Sequence, residues 1–180
     1  MPQIILFNKP CGVLSQFSGD GSRPTLADYI DQPQFYPAGR LDRDTEGLLL
    51  LTNDGKLQER IADPRFGKTK VYLAQVEGEL NEDALKKLRA GVRLKDGMTL
   101  PADAQAVAAP TLWDRDPPIR FRKHIPTNWL QLSIREGKNR QVRRMTAAVG
   151  LPTLRLVRIT VDQWQLGDLQ PGQWQLLDQP

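Results

Sequence analysis

The stretch GRLDRDTEG at residues 39–47 runs directly into the four leucines LLLL at residues 48–51. Four consecutive leucines predict a buried strand, and the two glycines around the charged residues predict a turn in front of it. This charged turn holds Asp42, Asp44 and Glu46, which could supply a nucleophile, a general base or a metal site. Metal binding is less attractive because the two arginines of the turn would compete for the same carboxylates. On pattern alone, a solvated turn with surface ion pairs is favoured.

The patterns on either side of the charged turn predict more strands than helices. Strands are predicted at Gln3–Lys9, Gly47–Thr52, Lys70–Glu77, Trp129–Ile134, Leu154–Val161 and Trp174–Leu177, with a hairpin around Lys95-Asp96-Gly97. Helices are predicted after Asn53-Asp54, from Asn81 to Gly91, and at Asn139–Val149. Single helices between strands indicate an α+β fold, in which a mixed, mostly antiparallel sheet carries helices packed on it.

The composition is that of an ordinary soluble globular protein, with 39% hydrophobic and 26% charged residues. At 180 residues the chain can form one domain over residues 1–180, which we expect to contain two α+β subdomains flanking a central cleft. Cys11 is the only cysteine, which excludes an internal disulfide and a cysteine-rich zinc site and fits a reducing compartment. No apolar run approaches the roughly 20 residues of a spanning helix, and the first residues do not resemble a signal peptide. We therefore expect a cytoplasmic protein without a membrane anchor.

Positive charge is concentrated near the C-terminal end. The chain carries a net charge of +4, yet residues 135–158 contain seven basic residues and one acid, so the remainder is slightly acidic. Such a concentration favours a polyanionic partner. On a helical wheel Arg140, Arg143 and Arg144 lie opposite the apolar side of the predicted helix, with Arg143 towards the flank. No acid lies at neighbouring helical positions, so this face is predicted to contact phosphates.

A second basic region is the loop at residues 110–127, which has no periodic pattern. The region from Trp113 to Trp129 mixes these two tryptophans and Phe121 with the cations Arg115, Arg120, Arg122 and Lys123. Rings and cations together suit unpaired bases, since stacking contributes about 1–3 kcal/mol per base. A long basic loop held by two core tryptophans explains the pattern equally well. His124 is the only histidine, so a histidine-pair metal site is excluded.

Three segments in this order resemble the signature motifs of the RNA pseudouridine synthases. They are GRLD with EGLL in the charged turn, Lys70-Val71-Tyr72, and the run EGKNRQVRRM at residues 136–145. The opening Lys9-Pro10-Cys11-Gly12-Val13 is similar to the branch that modifies bacterial ribosomal RNA. The resemblance extends over almost the whole chain.

The resemblance implies an isomerase that detaches uracil from its ribose, rotates it and rejoins it through carbon, without a cofactor or metal. Asp42 would be the catalytic aspartate, Tyr72 would stack on the target base, and Arg143 would pair with Asp42. Arg40 and Arg43 become candidates for contacts with the RNA backbone or for replacing the extruded base. The remaining predicted RNA contacts are Lys138, Arg140 and Arg144 with the cations of the loop.

Many relatives in this branch carry an N-terminal RNA-binding (S4) domain, whereas this chain begins about three residues before its first strand. We therefore expect a monomeric catalytic domain that holds RNA by itself. The main hypothesis is conversion of one uridine of 23S ribosomal RNA (rRNA) to pseudouridine. The alternatives are a non-catalytic rRNA-binding assembly factor on the same fold and a two-carboxylate hydrolase.

Overall fold

The fold is a large mixed sheet with three α-helices, as seen in the computed structural model, which describes residues 1–179. The strands are β1 (Gln3–Lys9), β2 (Tyr36–Pro37), β3 (Glu46–Thr52), β4 (Lys70–Glu77), β5 (Arg93–Leu94), β6 (Gly97–Met98), β7 (Asp103–Val107), β8 (Thr127–Ile134), β9 (Thr153–Val161), β10 (Trp164–Gln165) and β11 (Trp174–Asp178). The helices are α1 (Gly55–Ala62), α2 (Glu82–Ala90) and α3 (Gln141–Ala148), with 3₁₀ turns at Leu26–Asp28 and Pro64–Phe66. The predicted α+β class is confirmed.

The main sheet consists of two halves that meet at one short contact. Its strand order is β11-β1-β3-β9-β4-β8-β7, with β2 paired to β3 and β10 paired to β9, while β5 and β6 form a separate hairpin. Strands β3 and β9 are parallel, and only two residue pairs join them, Glu46 with Val157 and Gly47 with Arg158. We call this contact the junction. All the other strand pairs are antiparallel.

Gly47 is required at the junction. Its φ angle is +105°, and a Cβ atom there would clash with the backbone carbonyl oxygen of Arg158. A residue with a side chain would therefore be strained and would also push β3 away from β9. The end of the charged turn is thus held tightly against β9.

Strand β3 is buried along its whole length, which confirms the prediction from the four leucines. Leu48 and Leu50 face a core that includes α1, whereas Leu49 and Leu51 face a second core on the other side of the sheet. Such burial on both faces explains why the run is continuously apolar rather than alternating. A third core lies in the other half of the sheet, under α2 and α3.

Several elements differ from the sequence prediction, including the short strands β2 and β10, which were not predicted. Helix α3 begins at Gln141, two residues later than expected, because Arg140 adopts a left-handed conformation with φ 49° and serves as the N-cap. Strand β7 was not predicted, since its sequence of Asp, Ala, Gln, Ala and Val has little strand preference. None of the helices within residues 1–179 is long and apolar enough to span a membrane.

Candidate active site

A cavity of about 410 Å³ lies beside the junction. The charged turn, β4, the N-terminal part of α3 and β9 contribute to its wall. Asp42, Tyr72 and Arg143, which are far apart in the sequence, all line this cavity. Its wall also contains five other cations, Arg40, Lys70, Lys138, Arg140 and Arg158, and one other carboxylate, Glu136. The cavity is therefore strongly positive and suits an anionic ligand.

A buried lysine at the end of β1 binds the backbone of the charged turn. Lys9 is 0% exposed, and its Nζ donates to the carbonyl oxygens of Pro10, Val13 and Arg43 at 2.9, 2.8 and 3.0 Å. Burial lowers the pKa of Lys9 to about 8, although the nearby acidic groups partly oppose this shift. The first strand and the charged turn are thereby fixed to each other.

Glu46 is buried in a hydrogen-bond network that joins the two halves of the sheet. It is 1% exposed, and its carboxylate accepts hydrogen bonds from Arg155 Nε at 2.9 Å and Nη2 at 3.0 Å. Trp113 Nε1 donates to the same carboxylate at 2.7 Å, and Arg155 Nη2 also donates to the backbone oxygen of Trp113. This buried network lies directly at the junction, so both carboxylate oxygens of Glu46 are engaged in holding the two halves together.

Asp44 is held by two arginines. Arg140 Nη1 and Nη2 donate to its two carboxylate oxygens at 3.2 and 3.1 Å. Arg143 Nη2 lies 3.6 Å from Asp44 Oδ1 and donates to the Asp44 backbone oxygen at 3.1 Å. Partial burial raises the pKa of Asp44, but the hydrogen bond from Arg140 and the charges of both arginines outweigh it and lower the pKa overall.

Asp42 is the carboxylate of the turn that remains most available. Its one ion pair within residues 1–179 is with Arg140, whose Nη1 lies 3.4 Å from Asp42 Oδ2, and its side chain is 31% exposed towards the cavity that it lines. The predicted pairing of Arg143 with Asp42 is wrong, since Arg143 binds Asp44 and Thr45 instead. The reason is the late start of α3, which turns Arg140 out of the helix and lets its side chain reach both aspartates.

Arg143 is the more deeply placed of the two arginines. Its side chain is 14% exposed, and burial lowers its pKa more than Asp44 raises it. Its Nε is buried without a hydrogen-bond partner among residues 1–179. Tyr72 lies across the cavity on β4, where it is partly buried and paired with Arg158 of β9.

The arginines that were predicted to form a phosphate-binding face on α3 are not free, because they are already paired with carboxylates. Arg140 is paired with both aspartates of the turn, and Arg144 makes two hydrogen bonds to Asp96 at 2.8 and 3.1 Å. These acids lie 48 to 98 residues earlier in the chain, so a helical wheel could not reveal them. Arg40 and Lys138 line the cavity, whereas Arg43 is exposed on the turn outside it.

The loop at residues 110–127 contributes no residue to the wall of this cavity. Trp113 packs with Arg155 of β9. Arg155 precedes Leu156, which lines the cavity, and successive residues of a strand point to opposite faces of the sheet. Arg155 and Trp113 therefore lie on the face of the sheet opposite the cavity. Arg115 is not a surface cation, since its Nη1 donates to the Leu154 carbonyl oxygen at 2.8 Å. Of the two tryptophans expected to hold the loop, Trp113 does so through its bond to Glu46, whereas Trp129 belongs to β8.

Beyond Trp113 the loop exposes a basic and aromatic tip. Arg120 and Arg122 approach the buried carboxylate of Glu77 at 3.5 and 3.8 Å, while Lys123 is exposed. Phe121 between the two arginines is 75% exposed. The tip therefore contacts β4 at Glu77, which is five residues, or about 17 Å, along the strand from Tyr72.

Sequence reasoning missed two cations of the cavity, Lys70 and Arg158. Arg158 was counted in the basic region but given no role, and Lys70 was treated only as part of a motif. The alternation of β4 was the available signal, because it puts Lys70 and Tyr72 on the same face. Within residues 1–179 no group of three or more His, Cys, Asp or Glu is placed to hold a metal ion.

Comparisons with known proteins agree with this architecture. The family model described as RNA pseudouridylate synthase matches residues 3–148. A protein of Vibrio parahaemolyticus named ribosomal large subunit pseudouridine synthase E is 58% identical over 96% of this chain and 72% of its own length. One of the same name from Xanthomonas campestris is 56% identical over 97% and 95%. A crystal structure of a pseudouridylate synthase superposes with a TM-score of 0.79 at 29% identity, covering 99% of this chain and 71% of that one. The chain belongs to the RNA pseudouridylate synthase family of isomerases.

Proposed function

We propose that this isomerase converts a specific uridine of 23S rRNA into pseudouridine, with Asp42 as the catalytic aspartate. The observation that carries the proposal is the convergence of Asp42, Tyr72 and Arg143 on one positively charged cavity. The names of the similar Vibrio and Xanthomonas proteins support a large-subunit RNA substrate. We further propose that the chain acts in the cytoplasm as a monomeric catalytic domain, with the two halves of the sheet flanking the cleft.

The reaction exchanges one bond for another within the same nucleotide. The N1–C1′ bond of uridine breaks, the uracil turns, a C5–C1′ bond forms, and the proton lost from C5 is balanced by one gained at N1. A negatively charged carboxylate can take part by attacking the sugar, by attacking the base, or by assisting formation of a glycal. Asp42 suits any of these routes, because it opens to the cavity while Asp44 and Glu46 are engaged with arginines.

The other two residues have complementary roles in this proposal. The ring of Tyr72 would stack on the extruded base, which must leave its own stack at a cost of a few kcal/mol. Arg143 would act through the turn: it binds the Asp44 backbone oxygen and Thr45 Oγ1, and so fixes the segment that carries Asp42. The exposed Arg40 and the partly exposed Lys138 would contact phosphates at the mouth of the cavity.

The experiment is pseudouridine formation on an unmodified 23S rRNA transcript. Loss of the C5 proton releases tritium from uracil labelled at C5, and carbodiimide treatment with reverse transcription locates the product. Asp42→Asn should keep the fold and RNA binding but form no product. Asp31→Asn is the matched control, since Asp31 is exposed and lies outside the cavity.

Appreciable product from Asp42→Asn would contradict the assignment of Asp42. RNA binding without turnover by the unmodified chain, on both naked 23S rRNA and assembly particles, would instead favour the non-catalytic assembly factor.

A further inference from the structure

Arg158 is fixed on the floor of the cavity. It is 5% exposed, and its Nε donates to the Leu48 backbone oxygen at 2.9 Å. Its backbone lies against Gly47, so β3 holds both the main chain and the side chain of Arg158. Tyr72 is its directly paired neighbour on β4. Facing residues of antiparallel strands have Cβ atoms about 5 Å apart, and the side chains of Arg158 and Tyr72 both line the cavity.

Arg158 and Lys70 lack carboxylate partners. Within residues 1–179 neither makes an ion pair shorter than 4.0 Å, and Lys70 Nζ donates to the backbone oxygen of Glu136 at 3.1 Å. Burial lowers the pKa of Lys70 and the positive charge of Arg158 lowers it further, while the carboxylate of Glu136 partly opposes this shift. Buried cations are costly without a negatively charged partner, which backbone oxygens do not supply, so a ligand that brings negative charge has a favourable site here.

The position of the two cations identifies the ligand oxygen. In the proposed function, phosphates of the RNA backbone would contact Arg40 and Lys138, whereas the buried Arg158 is paired with Tyr72 and Lys70 lies two residues before Tyr72 on β4. A base that stacks on the Tyr72 ring presents its edge, and therefore its carbonyl oxygens, to the groups around that ring. Resting on the function proposed above, we infer that Arg158, assisted by Lys70, binds a carbonyl oxygen of the target uracil and stabilises the negative charge that develops there.

The charge balance of the reaction explains the benefit. When the N1–C1′ bond breaks, its electron pair goes to the uracil and is shared with the carbonyl oxygens. Attack of a carboxylate on the base also places negative charge on a carbonyl oxygen. The charge disappears once C5 has bonded to C1′, the C5 proton has left and N1 has gained a proton. Donors fixed in advance at such an oxygen typically accelerate a reaction by about 10²–10³-fold.

The test compares Arg158→Gln and Lys70→Gln with the matched control Lys68→Gln. Lys68 is two residues before Lys70, pairs with Asp162 and does not line this cavity. The substrate is an unmodified 23S rRNA fragment that contains the target uridine. A second fragment carries an abasic nucleotide at that position. Tritium release is measured in a single turnover with saturating enzyme, and the affinity of each fragment is measured at several salt concentrations.

We expect the single-turnover rate to fall about 100-fold or more for Arg158→Gln and about 10-fold for Lys70→Gln. Both should bind the abasic fragment as tightly as the unmodified protein does, because the group that they recognise is missing from it. Circular dichroism and urea unfolding check the fold. If Arg158→Gln does not fold after losing its bond to β3, Lys70→Gln decides, since the Lys70 side chain donates to the Glu136 backbone oxygen and not to β3.

Three results would overturn the inference. One is a rate for Lys70→Gln equal to that of Lys68→Gln. Another is a full rate for a folded Arg158→Gln. The third is an affinity loss that persists on the abasic fragment with a reduced salt slope, which would assign the two cations to a phosphate. Failure of the unmodified protein to release any tritium would overturn the proposed function itself, a result distinguishable from all three.

Discussion

The buried pair between Glu46 and Arg155 should determine how firmly the two halves of the sheet are joined. Glu46 and Arg155 side chains are 1% and 10% exposed, and two hydrogen bonds of 2.9 and 3.0 Å connect them. Glu46→Gln keeps an acceptor for Trp113 but leaves the arginine charge buried and unpaired. Breaking a pair of this kind costs about 3–5 kcal/mol. For a chain of this length each kcal/mol lowers the melting temperature by about 2–4 °C, so we expect a decrease of roughly 6–20 °C.

Urea unfolding followed by tryptophan fluorescence and circular dichroism measures the effect, because Trp113 lies in the network. Arg155→Met leaves the carboxylate unpaired and should cost a similar amount. The double variant removes both charges, so it should be more stable than the sum of the single effects predicts, by about 2–3 kcal/mol. The control is Asp83→Asn, which breaks the exposed pair with Lys87 on α2 and should cost about 0.5 kcal/mol or less. A loss below about 1 kcal/mol for Glu46→Gln, or simple additivity in the double variant, would refute the reasoning.

Three further perturbations test other parts of the molecule. Gly47→Ala should destabilise the fold by at least about 2 kcal/mol in urea unfolding, because φ is +105° and the new Cβ would meet a backbone oxygen; a near-neutral effect would mean that the junction is loose. The pKa of Lys9 is about 8 when folded and 10.5 in the unfolded chain, so between these pH values only the unfolded chain holds the proton, and stability rises with pH. The free energy of unfolding should therefore increase by about 2 kcal/mol from pH 8 to pH 10 relative to Lys9→Met, and a constant difference between the two proteins would contradict the shift. Neutralising Arg120, Arg122 and Lys123 should weaken binding of single-stranded RNA and reduce its salt slope by up to about 2, whereas neutralising the two lysines of α2 should not; an unchanged slope would place the RNA elsewhere.

The sequence predicted those features that depend on local pattern. Strand β4 was predicted with its observed ends because its residues alternate, and the buried β3 because it is continuously apolar. The N-cap of α2 was predicted from Asn81, whose side chain accepts from the Ala84 amide at 2.9 Å. Strand β7 was missed because it is held mainly by pairing with β8 rather than by its own residue preferences.

Features that depend on distant partners could not be predicted in the same way. The wheel placed Arg140, Arg143 and Arg144 on a helix as isolated cations, but their partners come from the charged turn and from Asp96. The signature motifs did bring Asp42, Tyr72 and Arg143 together as a group, and the structure puts their side chains around one cavity. Which carboxylate each arginine binds depends on where α3 begins. The helix begins after Arg140, because the backbone of that residue is left-handed.

The three carboxylates of the charged turn show how one short segment can combine stability with chemistry. Glu46 is committed to the junction, and Asp44 is committed to the two arginines of α3. Asp42 precedes both of them in the chain. Because these two carboxylates fix the part of the turn that follows, and Lys9 holds the adjacent Arg43 carbonyl oxygen, Asp42 can remain partly exposed in a fixed position. A carboxylate with full hydrogen bonding would have to lose a partner before it could react, whereas the Asp42 side chain makes one ion pair within residues 1–179, at 3.4 Å. The dense charge that first indicated a solvated turn is therefore better explained as the support that presents one carboxylate to the cavity.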